Sequence, residues 1–179
     1  MSVDYCIIPE CYTDTALIEA LVPPLNKNGY NHQMGCNKVS GCMQQKFNNS
    51  FAVGIIDKDK RQIRYLDEFE EISKKNHLSL HKHKSKHHYI IQIAPAIEVF
   101  IMNVAKEANI NFLNLGLTPK LEEFKQITKI STSKKDRRLL SLFTELSKKN
   151  IEELTILSTW IKYLKENTYK SDIEFLRNS

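Results

Sequence analysis

The sequence has few of the features that mark secreted, membrane-spanning or zinc-binding proteins. Its amino terminus lacks the basic start and apolar run of a secretory signal. The most apolar stretch, residues 89–105, is 17 residues long and contains Glu98, whereas a membrane-spanning helix needs about 20 apolar residues. The four cysteines include no CxxC pair, which favours reduced thiols over a disulfide framework or a zinc site. We therefore expect a cytoplasmic protein without a membrane partner.

The composition is that of a globular domain. The 179 residues are 41% hydrophobic and 26% charged, with a net charge of +5, which excludes a disordered, collagen-like or disulfide-scaffold chain. The charge is unevenly distributed: residues 1–57 carry −2, residues 58–88 carry +4 and residues 89–179 carry +3. A basic surplus of this kind is compatible with an anionic partner such as nucleic acid.

The hydrophobic pattern predicts alternating strands and helices, followed by helices alone. An alternation of this kind predicts an α/β fold, with a parallel sheet of about four strands and helices on both faces. The predicted strands are Val3–Ile8, His32–Val39, Ser50–Ile56, Leu78–His81 and Tyr89–Ile93. The predicted helices are Thr13–Leu25, Ser40–Phe47, Arg61–Lys75, one from Pro95 to about Ala108, and three in the segments 119–129, 133–148 and 151–167.

Acidic residues follow three of the predicted strands. Glu10 follows the first strand, Asp57 and Asp59 follow the strand that ends at Ile56, and Glu98 lies in the first turn of the helix after the last strand. Functional residues of parallel sheets gather beyond the carboxyl ends of the strands, and carboxylates are the ligands that Mg²⁺ prefers. A single acidic residue in such a loop is usually a helix cap or a surface group, so the prediction of a site depends on their coincidence.

Two segments resemble the signature motifs of the Toprim domain. They are Ile7-Ile8-Pro9-Glu10 and Val53-Gly54-Ile55-Ile56-Asp57-Lys58-Asp59, which match a strand ending in Glu and a strand ending in Asp-x-Asp. The segment Ile93-Ala94-Pro95-Ala96-Ile97-Glu98 is similar to a further element of stand-alone Toprim-like proteins from bacterial anti-phage and restriction loci, related to OLD-family nucleases. The resemblance covers residues 3 to about 108. It implies a Toprim-like α/β domain over residues 1–110. The helical pattern that follows predicts a helical extension over residues 111–179 packed on this domain.

The resemblance also implies a function, namely a Mg²⁺- or Mn²⁺-dependent nuclease or related phosphodiester-processing protein in phage defence or DNA repair. Glu10, Asp57 and Asp59 would then be catalytic. The same three residues and Glu98 would bind the metal. Clustered carboxylates repel each other, so without metal at least one of them should hold a proton more readily than usual.

A basic stretch follows these motifs. Between Ile72 and Tyr89 there are five Lys, five His and no acidic residue. One interpretation is a basic arm that lies along a nucleic-acid backbone near the carboxylates. Others are metal capture by the histidines or a solvated edge strand. The candidate nucleic-acid contacts are Lys58, Lys60, Lys82, Lys84 and Lys86.

Two alternative functions remain at this point. A catalytically inactive Toprim-fold binding module, working with an ATPase partner, is favoured by the small size of the chain and by Cys11, which follows Glu10 where the family commonly has glycine. A phosphoacceptor receiver domain also has an acidic sheet edge, but it would need paired acids after the first strand, where only Glu10 is present. A homodimer is left open.

Overall fold

A computed structural model describes residues 2–58 and 63–179. Within these residues the chain forms five strands and seven α-helices, joined by turns and short 3₁₀ segments. The strands are β1 (Ile7–Pro9), β2 (Ala52–Asp57), β3 (Phe69–Lys75), β4 (Leu78–His83) and β5 (His88–Ile93). The helices are α1 (Tyr12–Leu21), α2 (Cys36–Lys46), α3 (Ile97–Glu107), α4 (Leu121–Thr128), α5 (Arg137–Leu146), α6 (Glu152–Asn167) and α7 (Ile173–Asn178).

The strands form one mixed sheet in the order β1-β2-β5-β4-β3. β1, β2 and β5 are parallel, while β4 pairs antiparallel with both β5 and β3. The predicted α/β class is confirmed. The sheet differs from the predicted parallel sheet of about four strands, because it has five strands and β4 runs antiparallel to its neighbours. The reason is the short connections after β3 and β4, because a tight hairpin can join only antiparallel strands.

The predicted helix Arg61–Lys75 is the largest error in the described part of the chain. The segment forms a 3₁₀ turn at Arg64–Glu68 and then β3, and residues 61–62 lie outside the described residues. Apolar residues at spacings of three indicated a helix, yet they belong to different environments. Phe69 packs on the α2 side of the sheet, whereas Ile72 belongs to the larger core on the opposite side.

The prediction of a strand at His32–Val39 is also wrong, although the first part of this segment makes backbone hydrogen bonds along β1. The backbone N–H groups of Asn31, Gln33 and Gly35 donate to carbonyl groups of β1 and the residue after it. Gly35 then adopts a positive φ of 93° and precedes α2, a conformation that glycine allows without strain. Helix α2 therefore begins earlier than the predicted start at Ser40.

The remaining predicted elements are present with shifted ends. The strands that become β1, β2, β4 and β5 and the helices that become α1 and α3 are all found, and the three helical segments after residue 119 become α4, α5 and α6. The short helix α7 was not predicted. Within the described residues, no helix is long and apolar enough to cross a membrane.

Helices cover both faces of the sheet. The larger core lies between one face and helices α1, α3 and α4–α7, with Trp160 fully buried in it. The smaller core lies between the other face and α2, together with the 3₁₀ turn before β3. The helices after residue 110 share the larger core with the sheet, and the division of the chain at that residue stays a prediction.

Candidate functional site

The carboxyl ends of the three parallel strands meet at one edge of the sheet. β1 ends at Pro9 beside Ile55 of β2, and Asp57 of β2 pairs with Ile93 at the end of β5. Glu10 follows β1 directly. Its Oε2 accepts a hydrogen bond of 3.0 Å from the backbone N–H of Asp57. The structure therefore brings the first two predicted acidic motifs into direct contact.

Asp57 also holds the start of helix α3. Its Oδ1 accepts a hydrogen bond of 2.8 Å from the backbone N–H of Ile97, the first residue of that helix. A carboxylate in this position satisfies a helix donor that would otherwise lack a partner and interacts favourably with the helix dipole. Asp57 thus has a structural role as well as a place in the candidate site.

Glu98 links the sheet edge to helix α4. Its side chain is only 7% exposed, and its Oε1 accepts a hydrogen bond of 2.9 Å from the Thr128 hydroxyl at the end of α4. The backbone carbonyl of Thr128 in turn accepts a hydrogen bond of 2.9 Å from the Thr13 hydroxyl of α1. A helix from the segment that has no family resemblance is therefore fixed against the candidate site.

A fourth acidic residue, Asp14, was not predicted as part of the site. It is 1% exposed, and its carboxylate accepts a hydrogen bond of 2.9 Å from the Cys11 backbone N–H, while the Asp14 N–H donates to Cys11 Sγ at 3.3 Å. This is a capping box at the start of α1. The sequence carried no signal for this placement, because an acidic residue in the first turn of a helix is already explained by its favourable interaction with the helix dipole.

We call Glu10, Asp14, Asp57 and Glu98 the acidic cluster. Burial, followed by repulsion from Asp14, Glu10 and Glu98, raises the pKa of Asp57 to about 9. Burial likewise raises the pKa of Asp14 to about 7, and the charges of Glu10 and Glu98 add to the effect. The cluster therefore holds protons at neutral pH when no cation is present, in the direction predicted from the sequence.

The chemistry of the cluster fits Mg²⁺ or Mn²⁺, because its side chains offer carboxylate oxygens that repel each other. The positions of the side chains fit less well. Among the residues that the structure describes, no three Asp, Glu, His or Cys side chains are arranged to bind one metal ion. Asp59 and Lys60, predicted as a metal ligand and a nucleic-acid contact, lie outside the described residues.

A cleft of about 520 Å³ opens beside the acidic cluster. Asp57 and Glu98 line it, together with Tyr12 and Met34. It is also lined by three lysines, Lys58, Lys125 and Lys129. Lys58 is one of the predicted nucleic-acid contacts, whereas Lys125 and Lys129 were missed, because nothing in the sequence indicates that α4 packs against this edge.

The other predicted contacts, Lys82, Lys84 and Lys86, lie at the opposite end of the sheet. They belong to β4 and to the turn that leads into β5, and β5 starts beside the start of β2 rather than its end. A strand of six residues is about 20 Å long. The prediction that these lysines lie near the carboxylates is therefore wrong, and their contact with nucleic acid stays a prediction.

The histidines of this hairpin are held in protein contacts. His88 is fully buried, with one ring nitrogen 2.9 Å from the Phe47 carbonyl and the other 2.6 Å from the Tyr65 hydroxyl. His83 Nδ1 accepts backbone hydrogen bonds from the hairpin turn, while its Nε2 lies 3.0 Å from a Glu68 carboxylate oxygen. These contacts account for the two side chains without a metal ion.

Cys11 adjoins the acidic cluster but is unsuited to act as a nucleophile. Burial, followed by the Asp14 charge, raises the pKa of its thiol, and the thiolate is the reactive form. Its backbone has φ −137° and ψ 173°, an extended conformation that any residue adopts. This loop therefore does not need the glycine that is common after the motif glutamate.

No family model, no curated protein and no solved structure matches this chain.

Proposed function

We propose that this protein is a divalent-cation-dependent hydrolase of phosphodiester bonds in nucleic acid. The observation that carries the proposal is the convergence of the acidic cluster, from separate parts of the chain, at the carboxyl edge of one sheet. The resemblance of the first two motifs to the Toprim domain supports the same conclusion. The lysine-lined cleft beside the cluster is consistent with an anionic substrate.

The electrostatics of the cluster explain why a cation is part of the proposal. Burial is the main cause of the raised pKa values of Asp57 and Asp14, and repulsion between the ionised carboxylates raises them further. Either bound protons or a divalent cation relieves this repulsion. The cluster therefore favours cation binding over a row of free carboxylates, and binding should release protons.

Glu10 and Asp57 would hold the cation, with Asp59 and Glu98 as further ligands. A bound Mg²⁺ or Mn²⁺ would supply Lewis acidity toward a phosphate and lower the pKa of a bound water. The chain itself orients these groups. Asp57 is fixed by the Ile97 N–H and Glu98 by the Thr128 hydroxyl, and each of these bonds leaves the second oxygen of the carboxylate for another partner.

The test is cleavage of supercoiled, linear and single-stranded substrates with Mg²⁺ or Mn²⁺. We compare the wild type with Asp57→Asn, which keeps an oxygen to accept the Ile97 hydrogen bond but removes the charge. Asp172→Asn is the matched control, because Asp172 also accepts a backbone hydrogen bond at a helix start. Asp172 is exposed and caps α7, which packs against the far edge strand β3. We expect the first variant to lose about 100-fold in rate and the control to be unchanged. Equal cleavage by all three proteins would refute the proposal.

A second candidate is a binding module without turnover that works with an ATPase partner. It is favoured by the structural engagement of Asp57 and Glu98, each of which accepts a hydrogen bond that fixes a helix. The lack of a ligating group of three side chains within the described residues is also consistent with it. Titration that shows Mn²⁺ binding without cleavage, with an ATPase in a stable complex, would favour this candidate over the hydrolase.

A further inference from the structure

Helix α4 and the residue that caps its end contribute two lysines to the cleft beside the acidic cluster. Lys125 and Lys129 are four residues apart, a spacing that places side chains on the same side of a helix, and both line the cleft. The helix is held in place at its end, because Thr128 makes hydrogen bonds with both Glu98 and Thr13. The position of the two ammonium groups is therefore tied to the position of the carboxylates.

These lysines are available to a ligand. The Lys125 ammonium pairs with Glu122 at 2.7 Å, but Glu122 is 81% exposed, and exposed ion pairs of this kind contribute little free energy. Lys129 is exposed, and its ammonium makes no hydrogen bond or ion pair with any residue in the described ranges. An incoming anion would therefore displace little from either side chain.

The same cleft contains an aromatic and apolar wall. The ring of Tyr12 stacks on His32 with the ring centres 3.9 Å apart and the planes 16° from parallel. Met34, which also lines the cleft, is 56% exposed. Lysines that contact phosphates, combined with an aromatic ring that can stack on a base, are typical of sites for single-stranded nucleic acid.

The size of the cleft also favours an unpaired strand. Its volume of about 520 Å³ lies in the range of small-ligand pockets. In a duplex the flat faces of the bases are covered by their neighbours, so a ring at the side of the helix cannot stack on them. An unpaired nucleotide can place its base against Tyr12 and its phosphate near Lys125 and Lys129.

We infer that this cleft binds an unpaired segment of nucleic acid, with Lys125 and Lys129 on its phosphates and Tyr12 and Met34 against a base. The inference rests on the proposed function and names the substrate form of that site. It gives helix α4 the task of placing the phosphodiester beside the acidic cluster. Because the cluster repels phosphate while it is ionised, binding should be stronger when a divalent cation is present.

The test uses the full chain and a short fluorescein-labelled oligothymidylate, with binding followed by fluorescence anisotropy in Ca²⁺ across a salt series. The double variant K125A/K129A is compared with K148A/K149A, which removes the same charge from exposed positions after α5. We expect K125A/K129A to bind about tenfold more weakly. The slope of log K against log salt should also decrease by about 1.4, since each phosphate contact on a single strand contributes about 0.7. The control should keep the wild-type slope.

Tyr12 is tested in the same assay. Tyr12→Ala should weaken binding of the oligothymidylate by about tenfold, whereas Tyr12→Phe, which keeps the ring, should bind it as tightly as the wild type does. Circular dichroism of each variant checks that it is folded. Equal slopes for K125A/K129A and K148A/K149A would overturn the inference, as would a duplex of the same length that binds the wild type as tightly as the single strand.

Failure of the hydrolase proposal gives a different result. Binding that depends on Lys125 and Lys129 without any cleavage by the wild type would refute hydrolysis and support the cleft. The opposite result is also distinguishable. If Asp57→Asn loses cleavage while K125A/K129A keeps both the wild-type cleavage rate and the wild-type affinity for single strands, hydrolysis is supported and the inference about the cleft is overturned.

Discussion

Replacing Asp57 by asparagine should change how the stability of the protein depends on pH when no cation is present. Burial and the neighbouring carboxylates raise the pKa of Asp57 from 3.8 to about 9 in the folded chain. Below the pKa that Asp57 has in the unfolded chain, Asp57 is protonated in both states, and its contribution to the free energy of unfolding is fully present. As pH rises toward 9 the unfolded chain has already lost this proton while the folded chain retains it, so the free energy of unfolding falls.

The magnitude follows from one proton. Each pH unit within this window lowers the free energy of unfolding by about 1.4 kcal/mol, so the step from about pH 6 to about pH 8 costs about 3 kcal/mol. For a chain of this size that corresponds to roughly 6–12 °C in the unfolding temperature. Asp14, whose pKa is raised to about 7, adds to the loss in the lower part of the range. The amide oxygen introduced by Asp57→Asn still accepts the Ile97 hydrogen bond, but the amide does not titrate.

The assay is urea unfolding in EDTA at several pH values. It is followed by the fluorescence of Trp160, which is the only tryptophan of the chain and is fully buried. We expect Asp57→Asn to lose stability less steeply than the wild type, by about 1.4 kcal/mol per pH unit. The exposed replacement Asp172→Asn should leave the wild-type profile unchanged. Parallel profiles for wild type and Asp57→Asn would show that the carboxylates do not interact in this way and would refute the reasoning.

Three further predictions concern the rest of the structure. Lys165→Met should lower the free energy of unfolding, measured in urea, by about 3–5 kcal/mol. The substitution removes the ammonium group that lies 2.9 Å from the buried carboxylate of Asp4. Recovery of stability in the double variant with Asp4→Asn would confirm this cause. Gly54→Ala should lower the free energy of unfolding by about 1–3 kcal/mol, since the added carbon would lie 2.9 Å from side-chain atoms of α2. The control Gly41→Ala places a carbon in open space on that helix. It should be neutral or stabilising when both variants are compared by thermal unfolding. Burial lowers the pKa of His83, so its contribution to stability is present above the ordinary histidine pKa and is lost as pH falls through the lowered value; His83→Gln should reduce the loss of unfolding temperature between about pH 7 and about pH 5.

The acidic edge was predictable because local signals and topology agree there. Each short apolar run that leads to Glu10, Asp57 or Glu98 is a strand, and parallel strands necessarily end at the same edge. Asp14 was missed because its position in the first turn of a helix has a sufficient local explanation as a favourable charge. Only the folded chain shows that the loop before α1 turns this side chain toward the other carboxylates.

The β3 segment shows where periodicity fails. Apolar residues at Leu66, Phe69 and Ile72 fit a helix, but the first is in a 3₁₀ turn and the other two face opposite sides of the sheet. The register shift between Glu71 and Ser73 further disturbs the alternation expected of a strand. A spacing of three residues therefore carries no unique structure when a turn and a bulge lie within one short segment.

The lysines of the cleft could not be predicted for a different reason, which concerns how the site is built. Lys125 and Lys129 lie in a segment whose own pattern indicates only an amphipathic helix, and their placement depends on the contacts of Thr128 with Glu98 and Thr13. The residues that fix α4 are thus the same ones that bring a carboxylate into the cluster. Any change of charge at Glu98 that weakens its bond to Thr128 would also move the lysines, so the acidic and basic sides of the cleft are coupled through one buried hydrogen-bond network.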